Sequence, residues 1–113
     1  MKYKIFNLKE NMPTVEQALA MIEIEVQLCR REGLIALKII HGYGSSGVGG
    51  GIKRALTFWA KRSIKKGLFK AFIKGEQWSQ ENPTVDYIKK LCPEVLGDME
   101  LYQANAGVSV ILI

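Results

Sequence analysis

The residues best suited to chemistry in this chain lie in one short stretch. His41-Gly42-Tyr43-Gly44-Ser45-Ser46-Gly47-Val48-Gly49-Gly50-Gly51 holds six glycines in eleven residues and the only histidine in the sequence. An apolar run precedes it and helical spacing follows it, so it joins a buried strand to a helix start. Unpaired backbone N–H groups and the helix dipole favour an anion there, and glycine lets backbone approach a phosphate closely. Ser45 and Ser46 add hydroxyl donors, and Lys53 and Arg54 are expected in the first helical turn. A flexible connector is the alternative. Glycine at this density costs folding entropy, which favours the anion cradle.

The kind of anion can be narrowed. Gly42-Tyr43-Gly44-Ser45-Ser46-Gly47 formally matches the dinucleotide fingerprint G-x-G-x-x-G. That reading also requires an acid about 20 residues further on, for the ribose hydroxyls. Residues 33–75 contain no acid. A P-loop requires Gly-Lys-Ser/Thr, whereas this loop ends Gly51-Ile52-Lys53-Arg54. His41 has three roles open to it: a hydrogen bond to phosphate, proton transfer near neutral pH, or a structural contact. Tyr43 either stacks on an unpaired base or packs within the loop.

The elements that must position this loop follow from periodicity. Lys2 to Leu8 alternates as a strand, and Asn11-Met12-Pro13 is a break. Thr14 and Gln17 fit a capping box for a helix whose core face is Val15, Leu19, Ile22, Val26 and Cys29. Met21, Ile24 and Leu28 form a second apolar stripe, suited to extra burial or self-association. Arg30 and Arg31 suit the helix end, and Gly33 stops it. Leu34 to Ile40 predicts a strand buried on both faces. Ile52 to about Ser63 is the second long helix, with Trp59 in its core stripe, and Gly67 ends it. Leu68 to Lys74 predicts a strand with Phe69, Ala71 and Ile73 on one face and a second face open to water. Gly75 to Glu81 is a loop in which Trp78 covers either the sheet edge or a ligand groove. Asn82-Pro83 opens a short helix to about Leu91. Glu94 to Asn105 is expected mostly as loop, and Gly107 to Ile113 as the last strand.

This order predicts one α/β domain over residues 1–113. The expected architecture is a two-layer sandwich, a βαβαββ mixed four-stranded sheet with two long helices on one face. An extra short helix precedes the last strand. Two βαβ crossovers predict parallel pairing.

Composition removes several classes. Of 113 residues, 48% are hydrophobic and 24% charged, the balance of an ordinary globule rather than a disordered tail. No apolar run approaches the roughly 20 residues of a membrane span, and the first residues lack the apolar core of a signal peptide. Cys29 and Cys92 are too few for a disulfide framework and predict buried thiols in a reducing cytoplasm. One histidine and no Cys-x-x-Cys exclude a standard zinc site. The net charge of +5 is unevenly spread. Residues 33–75 carry nine basic side chains: Lys38, Lys53, Arg54, Lys61, Arg62, Lys65, Lys66, Lys70 and Lys74. An acid-free zone of this size beside a glycine loop is the footprint of a polyanion partner, DNA or RNA.

At these residues the chain resembles a small MutS-related (Smr) domain. Ile39-Ile40-His41-Gly42-Tyr43-Gly44, with the glycine loop and basic helix behind it, carries the resemblance. Thr14-Val15-Glu16-Gln17-Ala18-Leu19 and Asn105-Ala106-Gly107-Val108-Ser109-Val110 are similar to that family's first helix and closing strand. The resemblance implies a fold like the C-terminal domain of bacterial translation initiation factor three. It also implies DNA or RNA binding and, in some members, endonuclease or nicking activity. Family nucleases often carry Leu-Asp-x-His at the end of the first strand, where this chain has Phe6-Asn7-Leu8-Lys9. Asn7 cannot act as a base, and Lys9 would need a large pKa drop to do so.

Three readings follow. The first is a nucleic-acid-binding module with phosphates held by His41, Gly42, Tyr43, Gly44, Ser45, Ser46, Gly47, Gly49, Gly50, Gly51, Lys53, Arg54, Lys61 and Arg62, contact extending to Lys65 and Lys66. The second is an endonuclease with His41 catalytic at the scissile phosphate and a divalent metal as its one conceivable cofactor. The third is a protein-interaction module, including a homodimer through the second apolar stripe.

Overall fold

The computed structural model describes residues 2–11, 13–42 and 48–113, and no side chain is described at 11 or 48–50. Four strands form: β1 (Tyr3–Asn7), β2 (Ala36–Ile40), β3 (Ala71–Lys74) and β4 (Val108–Leu112). Three helices form: α1 (Val15–Glu32), α2 (Val48–Lys65) and α3 (Pro83–Leu91). Helical turns of the 3-10 type cover Leu8–Asn11, Gly75–Gln77, Pro93–Gly97 and Met99–Gln103.

Local chemistry sets the helix ends. The Gln17 N–H donates to Thr14 Oγ1 (3.2 Å) and the Thr14 N–H to Gln17 Oε1 (3.0 Å), the capping box of α1. Gly33 closes α1 at φ 73°, a left-handed conformation that favours glycine. Asn82 caps α3 by accepting from the Thr84 and Val85 N–H groups, with Pro83 in the first turn. The second long helix departs from expectation at its start. α2 begins at Val48, so Gly49, Gly50 and Gly51 are helical, and Lys53 and Arg54 lie beyond the first turn. Backbone hydrogen bonding overrides glycine's weak helix propensity over so short a stretch.

The sheet order is β1-β2-β4-β3. β1 and β2 pair in parallel, Tyr3 opposite Ala36 and Asn7 opposite Ile40. The second crossover does not give the expected parallel pair. β2 and β3 run the same way, but β4 lies between them, antiparallel to both. Every residue of β4 is buried. An apolar strand of that kind needs neighbours on both edges and cover on both faces, which only a central position supplies.

α1 and α2 pack together on one face, as expected. Ala18, Ile22, Val26, Cys29, Leu56 and Trp59 meet Leu37, Ile39 and Ile111 there. The opposite face is covered too. Val85, Ile88, Val95, Leu101 and Trp78 cover Tyr3, Ala36, Val108 and Val110. The short helix therefore adds a thin third layer to the sandwich. The segment from Glu94 to Asn105 is not mostly loop but two 3-10 turns, the second capped by Asp98, whose side chain accepts from the Glu100 N–H. Trp78 belongs to this layer's core at 0% exposure, edge-on to Tyr102. β3 is shorter than expected. Phe69 precedes it and packs on Trp59 on the long-helix side, while Ile73 points into the other layer. Phe72 packs on the long-helix side as well, so the anticipated wet face is covered. Cys29 and Cys92 are free and buried, and burial pushes both thiols up to about 11.

Two contacts fix the third layer. Lys38, 2% exposed on the central strand, donates to both carboxylate oxygens of Asp98 (2.8 and 3.0 Å) and also meets Glu100. Tyr3 Oη donates to Asp98 Oδ2 at 2.6 Å. Burial alone would raise the Asp98 carboxyl. The bonds from Lys38 and Tyr3 outweigh it and hold the group below its usual range. Gly75 makes the second contact. A Cβ there would lie 1.9 Å from the Asn105 carbonyl oxygen and 2.7 Å from the Val108 oxygen.

Two outcomes are expected in thermal and denaturant unfolding. Gly75→Ala destabilises the chain by at least about 2 kcal/mol, since backbone rather than a flexible side chain must move. Asp98→Ala costs on the order of 3 kcal/mol by leaving a buried ammonium with only the part-exposed Glu100 as partner, while the double change Lys38→Met with Asp98→Leu costs far less. The depressed Asp98 carboxyl contributes stability in full above about pH 3.9, its ordinary value, and loses it as pH falls through the lower folded value. Asp98→Asn should flatten that part of the acid limb.

Candidate functional site

The parallel pair β1–β2 ends with Asn7 beside Ile40, and both chain segments continue from that edge. Asn7 Oδ1 accepts from the Lys9 N–H at 2.9 Å, holding the first residues of the 3-10 turn. The Lys9 stem then passes over Gly42. A Cβ on Gly42 would meet Lys9 Cδ, Cε and Cγ at 3.6 to 3.8 Å. Gly42 has φ 83°, where a side chain would also be strained. The two motif segments, Phe6-Asn7-Leu8-Lys9 and His41-Gly42, are thus neighbours.

His41 is 2% exposed. Its ring lies 2.9 Å from the Gly42 carbonyl oxygen through Nδ1 and 2.9 Å from Ser109 Oγ through Nε2. A carbonyl can only accept, so Nδ1 carries a proton and donates. Burial pulls the ring's pKa down, and the adjacent Lys53 charge acts in the same direction. The neutral ring therefore takes the Ser109 hydroxyl proton as a hydrogen bond on Nε2. Both nitrogens have internal partners. The backbone repeats the attachment, since the His41 and Gly42 N–H groups both donate to the Gly107 carbonyl at 2.9 Å. His41 binds the start of the glycine stretch to β4.

Lys53 is likewise engaged. Its ammonium donates to Glu76 (2.8 and 3.1 Å) and to the Ala106 carbonyl (2.9 Å). Burial would raise the Glu76 carboxyl, but the Lys53 bond outweighs it and holds it low. Lys53 joins α2 to the turns flanking β3 and β4. Lys38 lies in the other core. Two of the nine basic residues of the acid-free zone are therefore taken up in internal ion pairs.

The remaining cations lie mostly in the open. Arg54, Lys61, Arg62, Lys65, Lys66 and Lys70 are exposed and Lys74 is half-buried. None of them forms an ion pair among the described residues. Four of them line two grooves. Arg62 and Lys66 line a groove of about 240 Å³ with Arg30, Glu23 and Trp59, where α1 and α2 end. Arg54 and Lys74 line a groove of about 320 Å³ with Lys53, Thr57 and Phe58. Of the expected set, Lys53 and Arg54 line one groove and Arg62 the other. Gly51 is half-buried beside Val15. Tyr43, Gly44, Ser45, Ser46 and Gly47 lie outside the described residues, as do the side-chain surroundings of Gly49 and Gly50. Sequence reasoning passed over Phe58. Its signal was an aromatic set off the buried stripe of Ile52, Leu56, Trp59 and Ser63. Among the described residues, no group of three His, Cys, Asp or Glu side chains could hold a metal ion. Nor is any described helix long and apolar enough to cross a membrane.

A mixed four-stranded sheet with α1 and α2 on one face, α3 before the last strand and a His-Gly turn at the end of β2 gives the chain an Smr-like fold. The crystal structure of the Smr domain of Thermus thermophilus MutS2 is similar to it, with a TM-score of 0.56, 99% of this chain and 96% of that chain covered, and 18% identity. At that identity the likeness is one of fold. No family model and no curated protein matches the sequence.

The His41 geometry has a pH signature. The unfolded chain protonates its histidine near the ordinary value of about 6.5, and the folded chain does so only lower. The stability from the neutral ring is therefore complete above about pH 6.5 and falls as pH drops through the folded value. Ring proton NMR shifts should stay flat through pH ~6.5, and His41→Asn should remove this part of the pH dependence of unfolding.

Proposed function

We propose that this Smr-like domain binds nucleic acid, DNA or RNA, through the glycine-rich connection at the start of α2 and the exposed cations along that helix. The observation that carries the reading is the one-signed surface of α2. With Lys38 and Lys53 subtracted, Arg54, Lys61, Arg62 and Lys65, and Lys66 just beyond its end, still face water with no acid on that helix. Backbone N–H groups at the start of an 18-residue helix supply a further anion-seeking end. Gly42, Tyr43, Gly44, Ser45, Ser46 and Gly47 lead into that end, and Gly49, Gly50 and Gly51 form its first turn. Phosphates held there would lie at the C-terminal ends of the parallel strands, where open α/β sheets commonly bind ligands.

The reading is binding rather than cleavage by His41. A general base needs a free nitrogen within reach of the proton it takes, and both ring nitrogens have internal partners. Asn7 stands where the family nucleases have an acid and accepts a backbone N–H instead. In this reading His41 is a positioning residue for the loop, and Lys53 braces the helix that carries the cations.

The test is binding to single-stranded and duplex DNA and to structured RNA over a series of salt concentrations, with products examined on a denaturing gel. Four or five phosphate contacts give a slope of log K against log salt of roughly −3 to −4.5. Replacing Arg54 and Arg62 by alanine should make that slope shallower by about 1 to 2. Affinity indifferent to salt rejects the reading, and specific nicks that survive purification and vanish in His41→Ala reject its non-catalytic part.

A further inference from the structure

We infer that Phe58 is a stacking platform for an unpaired base, so the ligand of the α2 surface is a single-stranded nucleic acid. The inference rests on the proposed function and narrows its substrate class.

Phe58 is 57% exposed near the middle of α2. A single exposed apolar residue is ordinary on a protein surface. The surroundings of this one are not. Arg54, Phe58, Lys61 and Lys65 recur at spacings of four, three and four, which places them in one stripe along the helix. Lys61 Nζ lies 6.0 Å from the centre of the Phe58 ring, the outer limit of a cation–π contact. The ring borders the groove of about 320 Å³ whose other walls are Arg54, Thr57, Lys53 and Lys74. Lys53 is neutralised there by Glu76, so Arg54 and Lys74 are the groove's available cations.

A flat apolar ring flanked by cations matches the repeat chemistry of a single strand, in which phosphates alternate with planar bases. Base–aromatic stacking tolerates any sequence, because every base has a π face. A duplex offers only stacked bases and could use the cations but not the ring. Lys61 sits on a flexible stem and can move from the ring to a phosphate when a base takes its place. A partner helix would suit a broad apolar stripe, whereas here the apolar surface is one ring among cations, and that favours nucleic acid.

The experiment compares wild type, Phe58→Ala and Phe58→Trp at one fixed low salt concentration. The ligands are an oligothymidylate, the same strand with abasic positions, and a duplex of equal length. Phe58 is exposed, so thermal unfolding should show both variants folded. Phe58→Ala is expected to weaken oligothymidylate binding roughly 5- to 150-fold and leave duplex binding and the salt slope unchanged. The abasic strand should bind the wild type with the same deficit, and Phe58→Trp should retain affinity with its added fluorescence quenched. Equal affinity of wild type and Phe58→Ala for oligothymidylate overturns the inference alone. Equal losses on single strand and duplex also overturn it. Absence of any binding by the wild type overturns both the inference and the function it rests on.

Discussion

A lysine at the centre of the middle of a sheet cannot remain buried and charged without partners. Lys38 occupies that place on β2, and its demand for an anion organises one whole face of the molecule. Asp98 meets it, accepts from the Tyr3 hydroxyl on the neighbouring strand and caps the turn at Met99–Gln103. One carboxylate thereby ties the edge strand, the central strand and the last helical turn together. Val95, Leu101 and Trp78 are then carried over Val108 and Val110. The apolar cover and the ion pair are mutually dependent. The cover excludes the water that would otherwise solvate the ammonium, and the pair fixes where the cover lies.

The placement of β4 depends on the same face. With both faces covered, a strand of five buried residues is stable between β2 and β3. Its start then becomes an anchor for the His41-Gly42 turn. Gly107 accepts the two N–H groups of His41 and Gly42, Ser109 bonds the His41 ring, and Ala106 accepts from Lys53. Gly75 permits this approach, because any side chain there would strike the Asn105 carbonyl. His41 and Lys53, both singled out for anion chemistry in the sequence, and Lys38 of the acid-free zone are engaged within the frame on which the remaining cations stand. That division would suit the proposed binding surface, since rigid attachment of the loop's first residue would lower the entropy lost on meeting a ligand.

In the proposed function, the α2 surface would carry two kinds of recognition in one stripe. Its cations would attract a polyanion, and its exposed ring would discriminate by whether bases are free. Attraction of the first kind is long-ranged and screened by salt, whereas stacking is short-ranged and nearly independent of it. On that proposal, different contacts govern encounter and selection.

Much was legible in the sequence because it was local. The capping box of α1, the Asn82 cap, the Gly33 stop, the core stripe of α1 and the buried character of β2 depend on residues a few positions apart, and local pattern reports them directly. The His41-Gly42 motif likewise marked the end of β2, and the resemblance drawn from it agrees with the fold. The tertiary structure alone decided the strand order, since β4's place between β2 and β3 follows from covering both of its edges and faces at once. It also decided which charges are available. In the sequence Lys38, Lys53 and Arg54 are equivalent basic residues. Only the fold sets Asp98 against the first and Glu76 against the second, from positions far along the chain, and leaves the third beside Phe58 in water. Charge is written in the residue, but its partner is a matter of distance in space.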